Sequence, residues 1–201
     1  NKGAVAVVVE DNKAIPDELI THTQIAKILV KDCRKALAEL SKGFYKEPTK
    51  KLSLIGITGT NGKTTTTFIL KNILQNAGYK TGLVGTIANY VGDLKVDSKL
   101  TTPESNDLNR MFYDMIQAGC EYSVMEVSSH SLILNRVHVL DFKAAIFSNI
   151  TSDHLDFHNT FEEYLNAKKI LFDSLDENSI AIINSDDSSS QKMVQDSKAK
   201  I

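Results

Sequence analysis

Cysteine is scarce in this chain. Cys33 and Cys120 are the two present in 201 residues. Neither lies in a C-x-x-C pair, so a disulfide between them has no support and a reduced, cytosolic protein is expected. Long apolar runs are missing as well. The run nearest the start, Ala4 to Val9, falls far short of the roughly 20 residues that span a bilayer, and no charged segment precedes a long apolar core as in a signal peptide. No membrane partner is expected. A basic excess is lacking too: the net charge of -2 offers no global field for nucleic acid. There is no G-x-G-x-x-G, which disfavours a nicotinamide site. The chain opens on Asn1 rather than Met and ends on Lys198-Ala199-Lys200-Ile201 without a cap or stop, so it is expected to be a piece of something longer.

What is present is an ordinary globular balance, 42% hydrophobic and 24% charged, which argues against disorder. The length suits one domain plus a fragment, or two small domains. Ala4 to Val9 reads as a buried strand, Asp17 to Ile25 has no clear pattern, and Val30 to Leu40 has helical spacing with Gly43 as a stop. Lys46 to Lys51 is polar, contains Pro48, and reads as a linker. The boundary placed there divides the chain into 1–46 and 47–201. Beyond it strands and helices alternate. Strands are expected at Leu52 to Thr58, Lys80 to Thr86, Tyr122 to Val127, Ala144 to Ser148 and Ser179 to Asn184. Helices are expected at Lys63 to Ala77, closed by Gly78, at Pro103 to Ala118, with Pro in the first turn and Gly119 at the end, and at Thr160 to Leu175. Thr160 with Glu163 forms a capping box worth about 1 kcal/mol. The fold class is therefore α/β, with a mostly parallel sheet covered on both faces, whose ligands bind at the strands' carboxyl ends.

The chemistry concentrates at those ends. Gly59-Thr60-Asn61-Gly62-Lys63-Thr64 lies between a strand and a helix, the context of a phosphate-binding P-loop. Glycines allow the tight turn that aims several N–H groups at one phosphate, and the helix N-terminus adds a favourable dipole. Lys63 would reach the β- and γ-phosphates, and Thr64 would offer its hydroxyl to Mg²⁺. The common form G-x-x-x-x-G-K-T would need glycine where Ile57 stands. Glu126 ends an apolar strand beside this loop and is placed to hold Mg²⁺; the bland alternative is a surface glutamate. His154 lies in an acidic, His-rich loop. Zinc is disfavoured there because no cysteine is near and phosphoryl transfer uses Mg²⁺. From spacing alone, Lys168 and Lys169 read as two solvated lysines.

Ile55 to Thr65 resembles the ATP loop of the Mur ligases. Thr101-Thr102-Pro103-Glu104, Met125 to His130 and Asp153 to His158 resemble, in the same order, motifs of those family members that add the third residue of the peptidoglycan stem peptide. Asp32 to Tyr45 resembles the end of their first domain. The resemblance covers nearly the whole chain. It implies a three-domain enzyme: a small UDP-binding first domain, of which only the C-terminal part is here, a central ATPase domain, and an absent third domain. The implied reaction is ATP-dependent amide formation through an acyl phosphate, joining UDP-N-acetylmuramoyl-L-alanyl-D-glutamate to a diamino acid, meso-diaminopimelate first and L-lysine otherwise.

The resemblance also implies the site. ATP is held by Gly59, Thr60, Asn61, Gly62, Lys63, Thr64 and Thr65. One Mg²⁺ is held by Thr64 and Glu126, and a second by His154 and a carbamylated Lys168. The donor substrate is held by Thr101, Thr102, Ser128 and Arg136. Arginine offers a planar fork for carboxylate or phosphate. Each hydroxyl taken alone is more commonly a cap or turn residue. A carbamate needs a neutral amine, which points to partial burial of Lys168. Asp156 and His158 shape the loop, while His130 and Asn149 are neighbours without a role. A cytoplasmic monomer is expected. The rival readings are folylpolyglutamate synthase, which shares Thr-Gly-Thr-Asn-Gly-Lys but usually continues Gly-Ser, and a nucleotide-binding module without catalysis.

Overall fold

The computed structural model describes residues 3–151 and 157–201. Two parallel strands open the chain, β1 (Ala6–Val9) and β2 (Ala26–Leu29), joined by α1 (Asp17–Thr23). Of β1 only Val9 is buried, so the expected strand is present but is not a core strand. Helix α2 (Cys33–Phe44) follows, and the Asp32 carboxylate caps it by accepting from the Arg34 and Lys35 amides. Gly43 is not the stop. It lies inside α2, and the chain leaves the helix through Lys46 and Glu47, both with positive φ.

The expected linker is also a docked element. Pro48–Lys50 forms one 3₁₀ turn with Pro48 and Thr49 buried. Thr49 Oγ1 donates to Asp141 Oδ2 at 3.2 Å and accepts from the Asp141 amide at 3.1 Å. Polar composition marked a loop correctly, but a loop whose hydroxyl satisfies a distant backbone group is held in place.

The remaining chain builds a seven-stranded sheet: β3 (Ser53–Thr58), β4 (Thr81–Val84), β5 (Asn89–Val91), β6 (Leu94–Val96), β7 (Tyr122–Glu126), β8 (Phe142–Phe147) and β9 (Ile180–Ile183), in the order β6-β5-β4-β7-β3-β8-β9. All pairings are parallel except those of the β5–β6 edge hairpin. Helices α3 (Lys63–Asn76), α4 (Ser105–Gln117), α5 (Ser129–Ile133), α6 (Phe161–Asp173) and α7 (Ser190–Val194) are the helices that accompany this sheet among the described residues. Pro103 stands ahead of α4 rather than in its first turn, since Glu104 is the N-cap. Gly78 and Gly119 do end their helices with positive φ. Thr160 Oγ1 accepts from the Glu163 amide at 3.1 Å, but the Glu163 carboxylate reaches back to Asn159 rather than to Thr160.

The core follows from helical and strand spacing. On α4, Leu108, Phe112 and Met115 fall on one face and are wholly buried. Truncating Phe112 to alanine would cost roughly 3–5 kcal/mol. On α6 the buried stripe runs Tyr164, Leu165, Lys168, Leu171, Phe172, so a lysine occupies a core position. Topology then locates the crevice. From β3 the chain passes through α3 to β4 on one side. From β7, the neighbour of β3, it passes through α5 to β8 on the other side. The connections diverge above the carboxyl ends of β3 and β7, where ligands of open α/β sheets bind.

Candidate functional site

Beyond β3 the chain turns sharply at Gly59. Gly59 has φ +149°, and a Cβ there would lie 2.0 Å from Ser148 Oγ and 2.9 Å from the Asn149 carbonyl oxygen. Only glycine fits. The loop is clamped from β8: Asn149 O accepts from the Thr60 amide at 2.8 Å, and Asn149 Oδ1 from the Asn61 amide at 3.0 Å. Asn149 Nδ2 and Ser148 Oγ donate to the Asn61 carbonyl at 3.1 and 2.7 Å. Asn149, a neighbour without a role in the sequence, is thus the clamp. Gly62, φ +88°, starts α3 with no side-chain cap. The first-turn amides of a helix have no intrahelical partner and carry the positive end of the dipole. Lys63 Nζ lies over the same loop, donating to the Gly59 and Thr60 carbonyls at 2.8 and 2.9 Å.

Opposite the loop stands Glu126, 1% exposed at the end of β7. It is no surface glutamate. Its Oε2 accepts from Thr64 Oγ1 and from Thr86 Oγ1, both at 3.0 Å, and its Oε1 from the Thr86 amide at 2.8 Å. The seat is cut to size, since a Cβ on Gly85 would lie 2.5 Å from Glu126 Oε1. Thr64 and Glu126 therefore present hard oxygens side by side, the donor set suited to Mg²⁺.

Thr101, Thr102, Ser128 and Arg136 share this cleft, of about 540 Å³, with the residues Thr60 to Thr65 and Glu126. Thr101 Oγ1 lies 3.0 Å from Thr86 Oγ1; since Thr86 gives its one hydroxyl hydrogen to Glu126, Thr101 is the donor of this pair. Thr102 Oγ1 donates to the Glu126 carbonyl at 2.9 Å and accepts from the Ser128 amide at 3.2 Å. Ser128 Oγ caps α5 by accepting from the Ser131 amide. The structural role open to each hydroxyl is thus present for Thr102 and Ser128, on the wall of the cleft. Asn135, φ +54°, turns the chain after α5 so that Arg136 comes back over it; Arg136 NH1 donates to the Thr102 carbonyl at 3.2 Å.

Lys168 reaches the loop from behind. It is 1% exposed, its Nζ donates to the Gly59 carbonyl at 2.9 Å and lies 4.3 Å from the centre of the Tyr164 ring, and it does not line the cleft. Lys169 points elsewhere, to Asp173 Oδ1 and Asp196 Oδ2, each at 2.6 Å. His158 Nε2 and Ser129 Oγ are 2.9 Å apart and buried, and the His130 ring packs on Phe157 at 4.0 Å. Asp153, His154 and Asp156 lie outside the described residues. Among the described residues no group of three His, Cys, Asp or Glu is arranged to hold a metal, and no helix is long and apolar enough to cross a membrane. Thr86 is the site residue that sequence reading passed over. Its signal was weak: a threonine just beyond a strand, two positions before buried Ala88.

Residues 57–201 match the family pattern of the Mur ligase middle domain. The chain is 51% identical to the UDP-N-acetylmuramoyl-L-alanyl-D-glutamate–2,6-diaminopimelate ligase of Clostridium botulinum, over 97% of this chain and 39% of that protein. It is similar in fold to a solved ligase of the same name, with TM-score 0.81 and 28% identity over 99% of this chain and 40% of the other. Escherichia coli FolC bound to ADP is more distant, at TM-score 0.61 and 19% identity over 83% of this chain and 45% of the other, a likeness of fold alone. The chain spans about two fifths of the length of the curated relatives it matches, 39% in the Clostridium botulinum case.

Proposed function

We propose, from the premise that the chain belongs to the Mur ligase family, that it supplies the ATP site and the donor-substrate site of a ligase adding the third amino acid to UDP-N-acetylmuramoyl-L-alanyl-D-glutamate. The observation that carries this is the single cleft in which the loop Thr60 to Thr65, Glu126, and the set Thr101, Thr102, Ser128 and Arg136 meet. A phosphate donor and an acidic acceptor could lie in it side by side. Residues 1–46 would close a UDP-binding first domain and 47–201 form the central ATPase domain. The selection of meso-diaminopimelate, over L-lysine, would fall to a third domain.

In this mechanism the side-chain carboxylate of the substrate's D-glutamate attacks the γ-phosphorus of ATP, the bond to the ADP oxygen breaks, and an acyl phosphate forms. The amine of the incoming amino acid then attacks the acyl carbon. Phosphate leaves and the amine loses a proton. The loop amides and Lys63 hold the phosphates in line and offset the charge that gathers in transit. Arg136 and the hydroxyls orient the acceptor, which converts an encounter into a positioned reaction. Mg²⁺ bound at Thr64 and Glu126 would neutralise phosphate charge. A second Mg²⁺ site with His154 and a carbamylated Lys168 remains part of the proposal. Its support is the burial of Lys168 against the loop's first carbonyl. The site of action would be the cytoplasm, with the enzyme a monomer that needs neither nucleic acid nor membrane.

Calorimetry tests the reading. The full-length protein should bind both an ATP analogue and UDP-N-acetylmuramoyl-L-alanyl-D-glutamate. Binding of a folate in place of the UDP-sugar would support the folylpolyglutamate synthase reading. Nucleotide binding without either would leave a non-catalytic module.

A further inference from the structure

Glu104 occupies an unusual position between two arginines. It is the extended residue before α4, with φ −66° and ψ 157°. Its Oε1 lies 2.8 Å from Arg136 Nε and its Oε2 lies 3.6 Å from Arg34 NH1 on α2. Arg136 Nε is buried, and its hydrogen is not aligned on the carboxylate, so the pair is held by charge rather than by a directed hydrogen bond. The other end of the same guanidinium is pinned by the Thr102 carbonyl. From the α2 side, Asp32 Oδ2 accepts from Asn135 Nδ2 at 3.3 Å, which fixes the residue just before Arg136.

We propose that Glu104 is a positioning residue: it sets the angle at which Arg136 presents its free edge to an acidic group of the donor substrate. The inference rests on the reading of the cleft as the donor-substrate site. The physical reason is twofold. The Arg136 side chain is only 16% exposed, and a largely buried guanidinium without a counter-charge is costly and would swing toward water. Glu104 also meets the guanidinium on its Nε side, which leaves the opposite edge to face the neighbouring anion. Glu104 stays out of the chemistry, since it lines a separate hollow with Arg34 and Leu37 rather than the cleft itself.

Steady-state kinetics of the full-length enzyme separate the possibilities. Glu104→Ala should raise KM for the UDP-sugar dipeptide about tenfold, with KM for ATP and the melting temperature near wild type. Glu104→Gln keeps the shape but loses the charge that holds the pair, and should raise it nearly as much. In an Arg136→Ala background, Glu104→Ala should add nothing, because a positioning residue has no effect once what it positions is gone. Additive effects in that double variant would overturn the proposal. So would an unchanged dipeptide KM in Glu104→Ala while Arg136→Ala raises it. An Arg34→Ala variant that reproduces Glu104→Ala would show that the carboxylate merely ties α2 to α4, and would overturn it too. If Arg136→Ala itself leaves the dipeptide KM unchanged, the donor-site reading fails, and the role of Glu104 fails with it.

Discussion

Lys63 and Lys168, from two different helices, donate to one oxygen: the Gly59 carbonyl receives Lys63 Nζ at 2.8 Å and Lys168 Nζ at 2.9 Å. A carbonyl has two lone pairs and can accept both. The opening residue of the glycine turn, Gly59, is thus gripped by the first residue of α3 and by a buried residue of α6, while Ser148 and Asn149 press on it from beyond β8.

For Lys63 the expected outcome is direct. Lys63→Ala in the full-length enzyme should lower ligase turnover by about a thousandfold, the scale of losing one charge-stabilising group in phosphoryl transfer. The fold should survive, because the loop keeps its clamp from Asn149. Near-normal turnover with a normal melting curve would falsify the phosphate role.

Lys168 and Lys169 should part company. Lys168 should carry a carbamate, visible by ¹³C NMR after equilibration with labelled bicarbonate at alkaline pH. Lys168→Ala should cripple the phosphoryl step, and acetate should partly restore it by supplying the missing carboxylate. Lys169→Ala should leave turnover within about twofold, since one residue along a helix turns a side chain by roughly 100°. A bare amine and no response to acetate would leave Lys168 as a structural lysine of the loop.

Gly85 offers a test of the Glu126 seat. A Cβ at Gly85 would stand 2.5 Å from Glu126 Oε1 and 3.3 Å from its Cδ. Gly85→Ala must therefore displace a carboxylate held by two hydroxyls and an amide. Activity should fall at least about tenfold at limiting Mg²⁺ and recover in part at high Mg²⁺, as for a weakened ligand shell. Unchanged Mg²⁺ dependence would remove Glu126 from the metal site.

The ion pair behind α6 predicts a pH dependence of stability. Hydrogen bonds from Lys169 and then Gln195 hold the Asp196 carboxyl below its usual range. Burial pulls the Lys169 amine down, but its hydrogen bonds to Asp173 and Asp196 outweigh this and leave it raised. A depressed carboxyl stabilises above its unfolded pKa of about 3.9 and loses that contribution as pH falls through the folded value. A raised amine stabilises below about 10.4 and loses its contribution as pH rises through its folded value. Lys169→Met should therefore lower the melting temperature at neutral pH, and the gap from wild type should narrow below about pH 4. A gap that stays constant into acid would mean that the pair contributes packing alone.

The turn at Gly59 to Gly62 and its flanking β3 and α3 were legible because glycines stood between an apolar run and a helical one. Lys168 was more legible than spacing first suggested. Tyr164, Leu165, Lys168, Leu171 and Phe172 form a single helical stripe, so the apolar neighbours themselves mark that lysine as facing inward. The β5–β6 hairpin escaped because each strand has three residues, too few for alternation to register. The turn signal was the pair Gly92-Asp93, with Gly92 at φ +61°. The docking of Thr49 onto Asp141 and the grip of Thr86 on Glu126 were invisible for a different reason: each joins residues far apart in the chain, and hydroxyl chemistry alone does not name its distant partner.

The clamp on the turn at Gly59 carries a consequence for how the protein comes to exist. Asn61 and Asn149 are 88 residues apart, and β3 has both its neighbours, β7 and β8, much later in the sequence. A growing chain on the ribosome therefore holds the letters of the proposed nucleotide site long before that site can form. Until β8 is synthesised, the central strand has an unpaired edge, and closing that gap requires the long loops that slow folding and expose nascent sheet to aggregation. Nucleotide affinity should thus switch on late and abruptly during synthesis, when Ser148 and Asn149 leave the ribosomal tunnel and reach the turn at Gly59.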